Sequence, residues 1–350
     1  MFFGRSRVDG ADGRGRKSKQ ARILGSDLPV LLSTSQIAMR KAYLGVTDFD
    51  WYEQLAHARD CQEINFWQPG GRHLFKVLSA GDLFLFKLHS PNNYIVGGAF
   101  FETASLLPVS LAWETFRDGN GVRSLAEMRE RIAKYRREPL RTGDDPVIGN
   151  IILQHPFFFR RDAWIPMPPD FSLNTVQGKT YDLDAGTGRD LWRALEANMS
   201  TAALIGAAPM VAEGTTMRMF SDPVLARRRL GQGGFRVSVT DTYDRRCAVT
   251  NEHTLPVLEA AHIRPVSEGG VHSITNGLLL RSDVHTLFDR GYVTVTPDYR
   301  FRVSTRLRAD WNNGHVYYAQ QDLAINLPGD KSKWPDRVHL EWHADVVFLK

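Results

Sequence analysis

Short apolar runs separated by turn-prone polar residues dominate the first half of the chain, and they predict β-strands. Two such runs, GDLFLFKLH and YIVGGAFFE, are joined by SPNN, and VIGNIILQHPFFF, WIPMP and TVQGKTYDL follow further along. RKAYLGVTDFDWYEQLA predicts a strand followed by a helix, and SLAWETFRDGNGVRSLAEMRERIAKYRRE predicts further helices. Several short strands around a few helices predict a compact, β-barrel-like domain.

The second half of the chain follows a different pattern. DLWRALEANM and SDPVLARRRLG have the composition of helices, VLEAAHI that of a short strand, and LLLRSDVHTLFD that of a helix entered from the preceding NG. YVTVTPDYRFRVS predicts a hairpin. We therefore predict an α+β chain in four parts: a basic tail at 1–38 that is expected to be disordered, a β-barrel domain at 39–185, a helical connector at 186–230 and a smaller α+β domain at 231–350.

Composition excludes several functional classes. Cys61 and Cys247 are the only cysteines, so a disulfide framework and a four-cysteine zinc site are excluded. No apolar run reaches the ~18 residues of a membrane span, and the basic N-terminus lacks the apolar stretch of a secretory signal. We expect a cytoplasmic protein with no membrane partner. The net charge of +5 favours an anionic partner; the basic tail is either solvated or a nucleic-acid arm.

Candidate chemistry lies in the second half, where His262, Asn276 and His285 are spaced 14 and 9 residues apart. Phosphodiester hydrolysis needs a base that deprotonates water, and a neutral histidine suits that task at neutral pH. It also needs a cation to neutralise the phosphorane and the leaving oxygen. His285 and Asp289 are four residues apart on a predicted helix and can face one ion, whereas strand alternation places Glu259 on the face opposite His262.

This segment resembles the HNH, or ββα-metal, nuclease family, and within it the EAAHI subgroup. The resemblance rests on AHI-x-P, on NGL and on the histidine of DVHTLFD. It implies that His262 is the general base, that Asn276 either orients His262 or binds the metal, and that His285 is a metal ligand or contacts phosphate. It also implies a divalent cofactor, Mg2+ or Mn2+. Many relatives carry a metal ligand where this chain has Ala261, so Glu259 or Asp289 is expected to complete the metal shell.

Arginines and glycines just before this segment form a second candidate feature. GQGGFR, at residues 231–236, follows an arginine run that ends at Arg229. Glycine amides can approach a phosphate closely and arginines neutralise it, so Arg229 and Arg236 are candidate DNA contacts, and Arg264 near the site is another. The alternative for GQGG is a flexible interdomain turn.

Aromatic residues interleaved with polar ones mark the N-terminal domain, and Trp67, Gln68 and Lys87 are its candidate nucleic-acid contacts. A flipped base is held by aromatic stacking and by hydrogen bonds to its polar edge. The alternative is that these aromatics fill the core of the barrel. The order GD-x-x-x-F-K followed by I-V-G-G-A-x-F resembles the PUA-like superfamily, including EVE and ASCH domains, which read modified bases.

A PUA-like reader joined to an HNH nuclease resembles a modification-dependent restriction endonuclease. That resemblance implies DNA with a modified base as the partner and metal-dependent hydrolysis as the reaction. Because an HNH module cuts one strand, cleavage of both strands implies a homodimer or two binding events. Three alternatives remain at this stage: a non-catalytic reader of modified nucleic acid, a degenerate HNH fold kept for DNA binding, and an HNH nuclease without modification dependence.

Overall fold

The structure is a computed structural model that describes residues 41–58, 61–199 and 231–350, and these residues lie in one compact unit. Its strands are β1 (Lys41–Thr47), β2 (Glu63–Gln68), β3 (Leu83–Leu88), β4 (Tyr94–Pro108), β5 (Val147–Phe158), β6 (Ile165–Pro166), β7 (Gly178–Asp182), β8 (Leu258–His262), β9 (Gly277–Arg281), β10 (Val293–Val295) and β11 (Phe301–Val303). Its helices are α1 (Phe49–Ala56), α2 (Val109–Phe116), α3 (Leu125–Arg136), α4 (Gly186–Asn198), α5 (Gln232–Thr242), α6 (Ser282–Asp289), α7 (Thr305–Trp311), α8 (His315–Tyr318) and α9 (Arg337–Val346). The predicted α+β class is confirmed. None of the helices in the described ranges has the length and apolar character needed to cross a membrane.

The N-terminal strands form one mixed sheet with the order β2-β5-β4-β3-β1-β7, and β6 pairs with β4. The β1–β3 pair is parallel, whereas the other pairs along this order are antiparallel. Both faces of the sheet are buried: Phe84 and Phe86 of β3 pack into one core, and Leu83 and Leu85 pack into another. Two buried faces explain why LFLFKL reads as a continuous apolar run rather than as an alternating one.

The predicted β-barrel-like domain is not closed in the described strands, which form an open sheet with β2 and β7 at its two ends. Helical segments lie against those end strands. A 3-10 helix, Arg117–Asn120, lies against β2, and the Trp67 indole N–H donates to the Asn120 carbonyl at 2.9 Å. At the other end α4 packs on β7, where Gly188 lies so close that an added Cβ would stand 1.9 Å from the Asp182 carbonyl oxygen.

The C-terminal part is built on the antiparallel pair β8–β9, with α5 before it and α6 after it. The prediction that NG leads directly into a helix is wrong, because residues 277–281 form β9 and the helix begins only at Ser282. Leu278, Leu279 and Leu280 are all fully buried. A β-strand covered on both faces accounts for three consecutive buried leucines, whereas a single helix face does not.

The sequence GQGGFR forms the start of α5 with Gly231 as its N-cap, so the alternative of a flexible interdomain turn is wrong. The backbone amides of Gly233 and Gly234 donate to the Glu63 carboxylate of β2 at 2.7 and 2.6 Å. A Cβ on Gly234 would stand 1.7 Å from a carboxylate oxygen of Glu102. The glycines therefore let the start of α5 approach two carboxylates of the N-terminal sheet. The predicted segment boundaries at 38/39 and 230/231 involve residues outside the described ranges.

Candidate functional site

A cleft of about 1080 Å3 opens beside β8, α5 and α6. Glu63, Glu114 and His343 line part of its walls. Six further side chains of the walls are those of Phe235, Glu259, His262, His272, His285 and Asp289. The sequence predicted four of these six as members of a nuclease site. His272 and Phe235 were not among the predicted residues.

Glu259 lies in the cleft, contrary to the expectation from strand alternation. Its carboxylate is 2.6 Å from Nδ1 of His285, and Nε2 of the same ring is 3.4 Å from the carboxylate of Asp289. Two-stranded ribbons twist strongly, and a glutamate side chain is long enough to reach around the strand edge. His285 therefore lies between two carboxylates, one from β8 and one from its own helix.

The donor chemistry of Glu259, His285 and Asp289 fits a divalent cation, because carboxylate oxygens and imidazole nitrogens are the ligands that such ions take. The 3.4 Å between His285 Nε2 and Asp289 is compatible with two atoms that share one ion. Within the described ranges, no three His, Cys, Asp or Glu side chains form a ready metal-binding group. As placed, the two carboxylates lie at different nitrogens of His285, so one ion could take the imidazole and one carboxylate. Burial raises the pKa of Asp289, and nearby His285 opposes this shift.

His262 ends β8 with its ring against Phe235 of α5; the ring centroids are 3.9 Å apart and the planes are 12° from parallel. Burial, and then the charges of the neighbouring His272 and His285, lower the pKa of His262 to about 4. The ring is therefore neutral at neutral pH and can accept a proton. Nε2 of His262 lies 3.0 Å from Nδ1 of His272, and Nδ1 of His262 has no hydrogen-bond partner among the described residues.

His272 lies on the loop between β8 and β9, and sequence reasoning missed it. The available signal was a histidine inside the polar loop GGVHSITN, four residues before Asn276. Antiparallel pairing of His262 with Gly277 returns the chain to the end of β8, which brings this loop back beside His262. A histidine on such a loop can contact the strand-borne histidine although ten residues separate the two.

Asn276 is fully buried and lies outside the set of residues that line the cleft. Its amide oxygen accepts from the backbone N–H of Arg264 at 2.9 Å, and its amide nitrogen donates to the carbonyls of Arg264 and Val271 at 2.9 and 3.0 Å. Of the two predicted roles, this geometry favours orientation over metal binding, because Asn276 fixes the backbone that follows His262. The Arg264 guanidinium donates to the Glu268 carbonyl and lies 5.3 Å from the Trp342 ring.

Two arginines that precede the site in the sequence, Arg229 and Arg236, were predicted to contact phosphate. Arg229 lies outside the described residues. Arg236 lines the cleft, where its guanidinium is 4.0 Å from Glu114. The glycine amides at the start of α5 already bind Glu63, so the predicted phosphate cradle at this turn is wrong.

A second cavity, of about 870 Å3, lies in the N-terminal part. Its walls include Tyr43, Trp51, Phe66, Trp67, Gln68 and the loop 69–77. Arg72 and Lys76 of that loop are exposed at the cavity. The cavity thus combines aromatic walls with cationic residues of the loop.

Lys87 does not reach this cavity. Its ammonium donates to Asn93 at 2.8 Å and lies 5.1 Å from the Phe171 ring centroid, while burial lowers its pKa. On β3 its neighbours Phe86 and Leu88 pack in the same core as Phe66, so alternation turns Lys87 to the other face. The prediction that Lys87 shares a binding surface with Trp67 and Gln68 is therefore wrong, because Lys87 lies on the opposite face of the sheet.

Comparisons with known proteins give one family and a few solved structures. Residues 247–296 match the family model described as HNH endonuclease. The ASCH protein from Zymomonas mobilis is 11% identical over 43% of this chain and 94% of its own, with a TM-score of 0.30. A modification-dependent TagI restriction endonuclease is 13% identical over 87% of this chain and 83% of its own, with a TM-score of 0.26. A search of curated proteins gives no match.

Proposed function

We propose, taking the HNH endonuclease domain at residues 247–296 as the premise, that this protein is a divalent-metal-dependent DNA endonuclease directed by a modified base. One observation carries the catalytic part. A neutral, half-buried imidazole, His262, shares a cleft with the Glu259–His285–Asp289 cluster. A general base beside a set of metal-type donors is the arrangement that phosphodiester hydrolysis requires.

In the proposed mechanism His262 accepts a proton from water at Nδ1 as the water oxygen attacks phosphorus. Its low pKa keeps the acceptor nitrogen free at neutral pH, and Phe235 fixes the plane of the ring. His285 and one of its two flanking carboxylates, Glu259 or Asp289, would hold Mg2+ or Mn2+, which when bound supplies charge neutralisation at the phosphate and the leaving oxygen. Asn276 keeps the backbone after His262 in place.

A nicking assay tests the catalytic part. We expect His262→Ala to lose supercoiled-plasmid nicking in Mg2+ or Mn2+ by at least about a hundredfold while DNA binding is retained. His315→Ala is the matched control, because His315 is an exposed histidine of the same part of the chain and lies outside the cleft. Undiminished nicking by His262→Ala would rule out His262 as the base.

The aromatic cavity supports the reader part of the proposal. Phe66 and Trp67 offer ring surfaces, Gln68 offers an amide that can bond to the polar edge of a base, and Arg72 and Lys76 can contact the adjacent phosphates. The volume of about 870 Å3 is within the range of small-ligand sites. We propose that this cavity takes a flipped modified base.

Plasmids that are unmodified, methylated or hydroxymethylated test the reader part. We expect Gln68→Ala to reduce the preference for modified plasmid, while Lys87→Met leaves that preference unchanged because Lys87 lies on the other face of the sheet. Equal cutting of all plasmids by the wild type would indicate a nuclease without modification dependence. Specific binding without cutting would indicate a non-catalytic reader.

The order of the reaction in protein tests the proposed homodimer. A second-order dependence of linear product on protein concentration would support cleavage by a homodimer.

A further inference from the structure

His262 and His272 form a direct imidazole pair in the cleft. His262 Nε2 is 3.0 Å from His272 Nδ1, the ring centroids are 4.9 Å apart and the planes are inclined by 66°. An edge-on approach of this kind points a nitrogen of one ring at a nitrogen of the other, as a hydrogen bond requires. Phe235 covers one face of the His262 ring, so the ring can form hydrogen bonds only at its edge, through Nε2 and Nδ1.

Only one of the two facing nitrogens can carry the proton of this hydrogen bond when both rings are neutral. If His262 Nε2–H donates, then His262 Nδ1 keeps its lone pair and His272 Nδ1 is the acceptor. If His272 Nδ1–H donates instead, His262 carries its own proton on Nδ1 and cannot take one from water there. The partner of Nε2 therefore decides whether the base is in its competent tautomer.

The environment of His262 makes that partner important. Burial, and then the charges of the nearby His272 and His285, disfavour the imidazolium that forms when the base takes a proton. A hydrogen bond from Nε2–H strengthens when its donor becomes a cation, because charge-assisted hydrogen bonds are stronger than neutral ones. No carboxylate contacts Nε2 among the described residues, so the hydrogen bond to a neutral His272 is the stabilising contact for the imidazolium.

We propose that His272 is a positioning residue that accepts a hydrogen bond from His262 Nε2–H and thereby holds the Nδ1 lone pair toward the attacking water. This proposal rests on the proposed nuclease function with His262 as its base. It assigns the orientation of the base to His272 directly, and leaves to Asn276 the orientation of the backbone behind it. His272 neither touches the reacting atoms nor belongs to the Glu259–His285–Asp289 cluster.

Two substitutions at one position test the proposal. His272→Ala removes the acceptor, and we expect kcat for plasmid nicking to fall roughly 10- to 100-fold while KM for DNA and the affinity for Mn2+ stay unchanged. His272→Gln supplies an amide oxygen that accepts from Nε2–H, and we expect it to recover most of the lost kcat. A His272→Ala variant within about twofold of wild type would overturn the proposal. So would equal losses in both variants, because a missing hydrogen-bond acceptor would then not be the cause.

Imidazole nitrogen NMR of histidine-labelled protein gives a readout that a purely structural role would not move. We expect the Nε2–H tautomer of His262 in the wild type and in His272→Gln, and a mixture of tautomers in His272→Ala. An Nδ1–H tautomer of His262 in the wild type overturns the proposal even if the variants lose activity. His262→Ala, assayed in parallel, separates the proposed role of His272 from the proposed nuclease function. If His262→Ala stays active, His262 is not the base and the proposed function fails. If His262→Ala is inactive while the His272 variants keep wild-type activity, only the role proposed for His272 fails.

Discussion

The ring of Phe235 lies flat on the ring of His262, with 3.9 Å between their centroids. Phe235 belongs to α5, whose first amides bind Glu63 of β2, and β2 also carries Phe66, Trp67 and Gln68 of the aromatic cavity. The candidate base is therefore packed on a helix that is tied to the strand beside the candidate reader. Changes at this helix are expected to affect catalysis without any contact to DNA.

Phe235→Leu should shift the pH dependence of nicking. Removing the aromatic ring exposes His262 to water, so its pKa rises from about 4 toward its ordinary value of 6.5. The neutral base is then lost at a higher pH, and we expect the acid limb of the rate to move upward. Phe301→Leu is the control, since Phe301 is equally buried in the same core and has no ring contact with His262. Superimposable pH profiles of the wild type and Phe235→Leu would contradict this explanation of the low pKa.

Glu102→Gln should stabilise the protein, and more so at higher pH. Burial, and then the charge of Glu63, raise the pKa of Glu102 to about 9 from its ordinary value of 4.5. The folded chain therefore holds a proton that the unfolded chain releases above pH 4.5, so stability falls as pH rises toward about 9. Glutamine mimics the protonated carboxyl. We expect a gain of roughly 1–3 kcal/mol at about pH 8 and little gain at about pH 5, measured by denaturant unfolding.

Glu63→Gln is the companion variant at the same contact. It removes the anion that accepts from Gly233 and Gly234 at the start of α5, and a helix N-terminus favours a negative charge. We expect destabilisation by about 1 kcal/mol or more at neutral pH. If Glu63→Gln stabilised the protein as much as Glu102→Gln, repulsion between the two carboxylates would explain both results. Glu63 would then not be the anion that stabilises the start of α5.

Acid should destabilise the wild type through His343. This ring is buried against Phe288, its Nε2–H donates to the Phe288 carbonyl at 3.1 Å, and Nδ1 accepts from Thr294 at 2.8 Å. Burial lowers its pKa to about 4 from 6.5, so its contribution is complete above about pH 6.5 and is lost as pH falls toward 4. The loss is at most about 3 kcal/mol. His343→Gln should flatten the stability curve in this window, whereas His315→Gln should leave its slope unchanged.

Metal binding should depend on both carboxylates that flank His285. We expect His285→Ala to abolish binding of Mn2+ in calorimetry, and Glu259→Gln and Asp289→Asn each to weaken it roughly 10- to 100-fold. The larger loss marks the carboxylate that binds the ion, and the smaller loss marks the one that only orients the imidazole. Glu268→Gln, an exposed carboxylate of the loop after β8, is the control. Unchanged affinity in both carboxylate variants would exclude this cluster as the metal site.

Local sequence patterns predicted much of the fold and part of the candidate site. The apolar runs correctly predicted β1, α1, β3 and β4, because a strand or helix leaves its period in adjacent residues. The pattern around His262 and His285 correctly predicted an HNH segment. The same reasoning failed at residues 277–281, because three consecutive leucines have neither the alternation of a half-exposed strand nor the period of a helix.

By itself, the sequence determined which residues are able to do the chemistry and roughly which elements carry them. Only the tertiary structure decided which side chains meet. Glu259 reaches His285 across the twist of β8, His272 returns to His262 through strand pairing, Lys87 faces away from Trp67, and the glycines of α5 bind a glutamate 170 residues earlier in the chain. These contacts depend on strand register and on packing between distant segments, and a local pattern of residue types does not encode either.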